Sequence, residues 1–190
     1  MAGQGFDLTE WRRCVLSTPP FPPFPTLRMA VDPAYSANPS SDDSSYCLGF
    51  LDEDSSFTLL DCARGLWKGI QLPDKIVDAL KKWDSPDLWI EKTGNGASDL
   101  LRDVIVLQCA TREVSVPRIS FYTPRTPKAS RIRRLQGLVE NDLLHISPTC
   151  PYGALFDQAL AFDFESKNKD NHRRADDLLD ALAAVCGFRD

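Results

Sequence analysis

With 190 residues, 43% of them hydrophobic and 26% charged, the chain has the makings of one soluble domain with a sizeable core. No apolar run approaches the roughly 20 residues that a membrane-spanning helix needs, and the first residues lack the basic-then-apolar layout of a signal peptide, which places the chain in the cytosol. A net charge of -5 speaks against broad affinity for nucleic acid, although the charges are unevenly spread.

Residues 1 to about 25 read as an arm or linker, and residues 26–190 as the folded domain. The run from Pro19 to Pro25 is incompatible with helix or central strand and predicts an extended strap whose phenylalanines dock on the body. Leu27 to Asp32 then reads as a strand, stopped by Pro33, which has no N–H for a sheet ladder. After a polar loop, Tyr46–Leu51 and Phe57–Cys62 form a hairpin, so three antiparallel strands open the fold. A helix from Pro73 to Trp83 follows, with Ile76, Val77 and Leu80 inward. Asp87 to Lys92 is a brief buried strand, and Thr93-Gly94-Asn95-Gly96 turns the chain into a helix over about 97–107. Asp32 and Glu91 thus both fall at strand ends, and the carboxyl ends of strands in open α/β sheets are where ligands bind.

Arg118–Tyr122 alternates as a strand, and Pro127–Val139 reads as a helix with Ile132, Leu135 and Leu138 inward. Leu143–Ile146 is a short edge strand, and Pro151–Phe164 contains another helix. The six cysteines include no C-x-x-C pair and several lie in apolar runs, which makes buried free thiols the reading over disulfides or a zinc site. The closing helix, about His172 to Cys186, places Leu178, Leu179, Leu182, Val185 and Cys186 on one face, an amphipathic pattern. Its other face carries Asp177 and Asp180, one turn apart, beside Ala181 and Ala184. Two like charges about 4 Å apart repel by roughly 4 kcal/mol at an effective dielectric near 20, so a crowded site holding both wants a cation. Acids in a first helical turn also complement the helix dipole, and the segment alone leaves both readings open.

Basic residues are grouped as well. Arg125, Lys128, Arg131, Arg133 and Arg134 follow one another with no acid among them, and Arg173 and Arg174 precede the acidic helix. Acids flanked by basic segments suit metals that hold a phosphate while side chains hold the neighbouring backbone.

Three strands, helix, strand, helix, strand and a closing acidic helix is the order of the ribonuclease H-like fold: a mixed central sheet, its first three strands antiparallel, flanked by helices. Within that order the sequence resembles the nuclease domain of phage terminase large subunits over about Leu27 to Val185. The residues that carry the resemblance are Val31-Asp32-Pro33-Ala34, Trp89-Ile90-Glu91-Lys92-Thr93-Gly94-Asn95-Gly96, Lys128-Ala129-Ser130-Arg131-Ile132-Arg133-Arg134-Leu135 and Ala175-Asp176-Asp177-Leu178-Leu179-Asp180-Ala181-Leu182.

The resemblance implies a metal-dependent endonuclease that cuts concatemeric double-stranded DNA during genome packaging, in the host cytoplasm during virion assembly. Asp32 and Glu91 match the first two acidic positions. On the last helix, related resolvase-type nucleases place two acids three apart before an alanine-leucine pair, which favours Asp177 and Asp180; Asp176 and Asp180 also share a face, so Asp176 stays a candidate. These oxygen donors suit two Mg2+ or Mn2+ ions, with Asp32 bridging them. Lys128, Arg131 and Arg134 are candidates to hold the DNA backbone, the alternative being a solvated helix face. His172 is a candidate to touch substrate or order water, the alternative being a structural role. In full-length members the partners are the ATPase domain, the portal and the small terminase subunit. No phosphate-binding Gly-rich loop ending in Lys-Ser or Lys-Thr occurs here, which implies an isolated nuclease domain without the motor. Two rival readings are another ribonuclease H-like nuclease, such as a junction resolvase, and a non-catalytic domain whose acidic face binds a partner.

Overall fold

A computed structural model of the chain describes residues 6–15, 21–23, 25–34, 43–67, 69–84, 86–93, 96–162 and 176–188. In chain order its elements are α1 (Leu8–Arg13), β1 (Leu27–Asp32), β2 (Ser44–Leu51), β3 (Phe57–Gly65), α2 (Gln71–Trp83), β4 (Asp87–Glu91), α3 (Ala97–Thr111), β5 (Ile119–Tyr122), α4 (Lys128–Glu140), β6 (Leu144–Ile146), α5 (Gly153–Ala161) and α6 (Asp177–Val185). The strands form one mixed sheet in the order β5-β4-β1-β2-β3-β6. β1, β2 and β3 are antiparallel neighbours, whereas β4 lies parallel to β1, β5 parallel to β4 and β6 parallel to β3. This is the mixed α/β architecture, flanked by helices, that the element order implied.

Strand periodicity decides which side chains reach which layer. Met29 and Val31 of β1 point to one face with Leu88 and Ile90 of β4, where Ile76 and Leu80 of α2 and Leu101 and Ile105 of α3 cover them. Ala30 points to the other face, packed with Ile132 and Leu135 of α4, Leu155 of α5 and Leu178 and Leu182 of α6. Asp32 lies two residues beyond Ala30 and Glu91 one beyond Ile90, so both carboxylates emerge on the α6 side. The last registered pair of β1 and β4 is Val31 with Ile90, which puts these two strand ends side by side.

The β2–β3 pairing slips between Leu48 and Gly49, making a bulge at Leu60. Gly49 is required there, because a Cβ would lie 2.1 Å from the Thr58 carbonyl oxygen. On the α2 side of this bulge Asp61 accepts from Lys82 Nζ and Trp83 Nε1, each at 2.9 Å, and so is committed away from the other acids.

Two expectations change. The stretch expected as an arm contains α1, capped by Asp7, whose carboxylate accepts from the Thr9 N–H at 2.7 Å. Trp11 is fully buried, in edge contact with Phe6 at 5.0 Å and Phe156 at 6.1 Å between ring centroids. Its large apolar area ties this first segment to the body; in the Pro19–Pro25 run expected as a strap, Phe21 docks on Phe50 at 5.4 Å, and Phe24 lies outside the described residues. The closing helix is not amphipathic: every residue of α6 from Asp177 to Val185 is buried. Ala181, Ala183 and Ala184 let it approach β1 and β2 closely, and α4 and α5 close over it. The six cysteines are free thiols, five of them buried, as expected. No helix among the described residues is long and apolar enough to cross a membrane.

Candidate active site

Three elements converge at the exposed end of this layer. β1 ends at Asp32 because Pro33 cannot continue the ladder, and β4 ends at Glu91, where Ser98 Oγ donates to the Glu91 carbonyl at 3.1 Å and accepts from the Thr93 N–H at 2.8 Å. Gly96, with φ of 74°, provides the left-handed turn from which α3 starts. The first turn of α6 is fixed from two sides. Ser45 Oγ donates to the Asp177 carbonyl at 2.8 Å, and Gln158 Oε1 accepts from the Leu178 N–H at 2.8 Å. Asp180 is thereby aimed at the strand ends, and carboxylate oxygens of Asp32, Glu91 and Asp180 lie within 4.8 Å of one another.

α4 supplies the positive charge. Lys128 Nζ lies 2.9 Å from Asp176 Oδ1, 3.6 Å from Asp177 Oδ1 and 3.8 Å from both Asp32 Oδ2 and Asp180 Oδ2. One turn further on, Arg131 grips Asp180: Nη2 donates to both oxygens at 2.7 and 2.6 Å and Nε to Oδ1 at 3.0 Å, while Nη1 donates to the Thr126 carbonyl at 3.0 Å. Such forked geometry is available to arginine and not to lysine. At the end of β5, Tyr122 Oη donates to Glu91 Oε2 at 3.5 Å, a long hydrogen bond.

The electrostatics follow from this crowding. Burial pushes the Asp32 carboxyl well above its ordinary range; Lys128 opposes the shift, and Asp180, Glu91 and Asp177 add to it. Glu91 is raised by burial and by Asp180, against Arg131, Lys128 and the Tyr122 hydrogen bond. Burial would lower the Lys128 ammonium, but Asp32, Asp180, Asp176 and Asp177 together raise it, so it stays protonated. Carboxylates packed until their charge is disfavoured, all hard oxygen donors, form a donor set that fits a divalent cation such as Mg2+ or Mn2+.

The expected residues divide in two. Asp32, Glu91 and Asp180 come together. Asp177 and Asp176 lie beside them and face Lys128, outside the group whose oxygens approach within 4.8 Å. Arg131 is not a surface cation facing DNA: it is 4% exposed, and Asp180 engages it, because it shares the inward face of α4 with Leu135 four residues on. Lys128 is half-buried among the acids instead of projecting from a solvated face. Arg134 is exposed and lies over the Phe188 ring at 5.7 Å. His172 falls outside the described residues, as do Arg173 and Arg174. Tyr122 was missed, although its place at a strand end next to Glu91 is the signal that marks it.

No protein-family model matches the sequence, and no curated protein matches it either. Solved structures do. The human cytomegalovirus terminase nuclease domain, soaked with manganese and bound to an inhibitor, superposes with a TM-score of 0.68 at 13% identity, covering 97% of this chain and 94% of that one. The nuclease domain of the P22 large terminase gives 0.62 at 15% identity, over 92% and 86% of the two chains. The chain has the fold of a terminase nuclease domain. The yeast mitochondrial Holliday junction resolvase Ydc2 shares it more distantly, at a TM-score of 0.52 and 14% identity over 94% of this chain and 84% of that one. At such identities the similarity shows a ribonuclease H-like fold.

Proposed function

We propose that the chain is a divalent-metal-dependent endonuclease that cuts concatemeric double-stranded viral DNA during genome packaging, in the host cytoplasm. The observation that carries this reading is the meeting of Asp32, Glu91 and Asp180 within 4.8 Å from three elements far apart in sequence. The terminase nuclease fold adds support, as does the manganese-soaked state in which the human cytomegalovirus domain of that fold was solved. On this reading Asp32, Glu91 and Asp180 hold the metal, with Asp177 and Asp176 next to them. A pair of bound divalent cations supplies charge stabilisation and an activated water for phosphodiester hydrolysis.

The chain's own groups prepare that site. Arg131 fixes the rotamer of Asp180, Tyr122 restrains one oxygen of Glu91, and Pro33 ends β1 so that Asp32, paired with Ser45 of β2, stands beyond the last β1–β4 pair. Arg134 and Arg125, both exposed, on α4 and in the turn before it, would meet a DNA backbone on this reading. In the full-length protein an ATPase domain, portal and small subunit would bring DNA to this site.

Purified protein incubated with Mn2+ should cut linear duplex DNA at least as well as a four-way junction, and Asp32→Asn should abolish cutting. Preference for the junction would favour the resolvase reading. Metal-dependent cutting that survives Asp32→Asn would remove the assigned site altogether.

A further inference from the structure

The two cations of the site are not equivalent. Arg131 is buried, donating three hydrogen bonds to the Asp180 carboxylate and one to the Thr126 carbonyl, and cannot leave without unpacking α4. The side chain of Lys128 is 36% exposed, enters from the rim at the first residue of α4, and meets four carboxylates of which only Asp176 is at contact distance. A long aliphatic stem with its head in an acid cluster is a charge that can be exchanged.

Charge balance indicates what it exchanges with. Asp32, Glu91, Asp176, Asp177 and Asp180 present five carboxylates, and Lys128 and Arg131 two cations, leaving a formal deficit of three positive charges. One divalent ion reduces the deficit to one. A second would overshoot while the ammonium stays, and balances the cluster once it has gone.

Resting on the endonuclease reading, we propose that Lys128 is a built-in substitute for the second divalent cation: it holds the acidic cluster together in the metal-free protein and must swing out before that ion enters. The metal-free chain is thus stable with its acids assembled, and full metal occupancy is opposed until another anion, such as a DNA phosphate at the rim, takes the ammonium. Lys128 is a positioning residue in this scheme, and its removal favours metal instead of weakening it.

The test is Mn2+ titration followed by calorimetry and by electron paramagnetic resonance of free Mn2+, on wild type and Lys128→Met, with metal-free melting temperature measured in parallel. The variant should bind Mn2+ roughly tenfold more tightly or with one additional ion per chain, and melt lower in chelator. Lys128→Arg, which keeps the charge, should bind as wild type does. Should Lys128→Met fail to fold without metal, Lys128→Gln, which removes the charge but keeps a hydrogen-bond donor for Asp176, is read the same way. Unchanged or weaker Mn2+ binding on loss of the lysine overturns the inference while leaving the endonuclease reading intact. Absence of Mn2+ binding in wild type and variants alike overturns the metal site itself, and with it both.

Discussion

Replacing Arg131 by methionine tests whether the site is held together by its own cations. The guanidinium is 4% exposed, and its forked contact with Asp180 spans 2.6 to 3.0 Å. Methionine fills much of the same space but leaves Asp180 buried with Lys128, 3.8 Å away, as its remaining cation. Removing one partner of a buried ion pair costs about 3–5 kcal/mol, because the other is left charged and desolvated. In a domain of this size that corresponds to roughly 6 to 20 °C of melting temperature. Urea unfolding in chelator, followed by tryptophan fluorescence, should show the loss. Adding Asp180→Asn to the variant should recover much of it by removing the stranded charge, and Mn2+ should recover part of it by neutralising the same carboxylate. A loss under about 1 kcal/mol, the size seen for exposed pairs, would mean that water screens Asp180 and that Arg131 is no fixed part of the site.

Asp32 makes a pH-dependent prediction. Its folded pKa is raised by burial and by neighbouring acids, so its contribution to stability is present below the ordinary carboxylate range and is lost as pH rises through the raised value. Metal-free protein should therefore melt at lower temperature as pH climbs above that range, and Asp32→Asn should flatten the slope; parallel slopes for the two proteins would refute the burial argument. Divalent cations should bind more strongly with rising pH, since they displace the same protons. At the other end of the layer, Trp11→Ala should cost about 3–5 kcal/mol in urea unfolding, as removal of a buried aromatic does, whereas a loosely attached arm would leave stability unchanged.

Much of this site was legible in the sequence because strands announce their own ends. Pro33 stops β1 one residue after Asp32, and the turn beginning at Thr93 stops β4 after Glu91, so two ligand positions follow from backbone chemistry alone. The last helix resisted the same treatment. A helical wheel pairs Asp180 with Asp177 and with Asp176 alike, and only the packing of Ser45 and Gln158 against the first turn of α6 decides which carboxylate reaches the strand ends. Alanines misled further: read as neutral spacers they gave α6 a polar face, while in the fold they are what permits burial on every side. For α4 the signal was present but outweighed by charge. Lys128, Arg131 and Leu135 fall on one stripe, and an arginine in register with an apolar stripe belongs inside when an acid waits there.

Burying so many acids on one helix weakens the metal-free fold, and the chain limits the cost through sequence order. Lys128 and Arg131 sit in the first turn of α4, immediately after the segment leaving β5, the strand that neighbours Glu91 through Tyr122. The same short connection therefore brings the tyrosine, the lysine and the arginine to the acids as a unit, and α4 cannot dock without delivering both cations. Because α6 packs against α4 as well as β1 and β2, its carboxylates and their counter-ions reach the interior together. Charge neutralisation is thus a condition of packing this layer, which is why loss of Arg131 should appear as lost stability before it appears as lost chemistry.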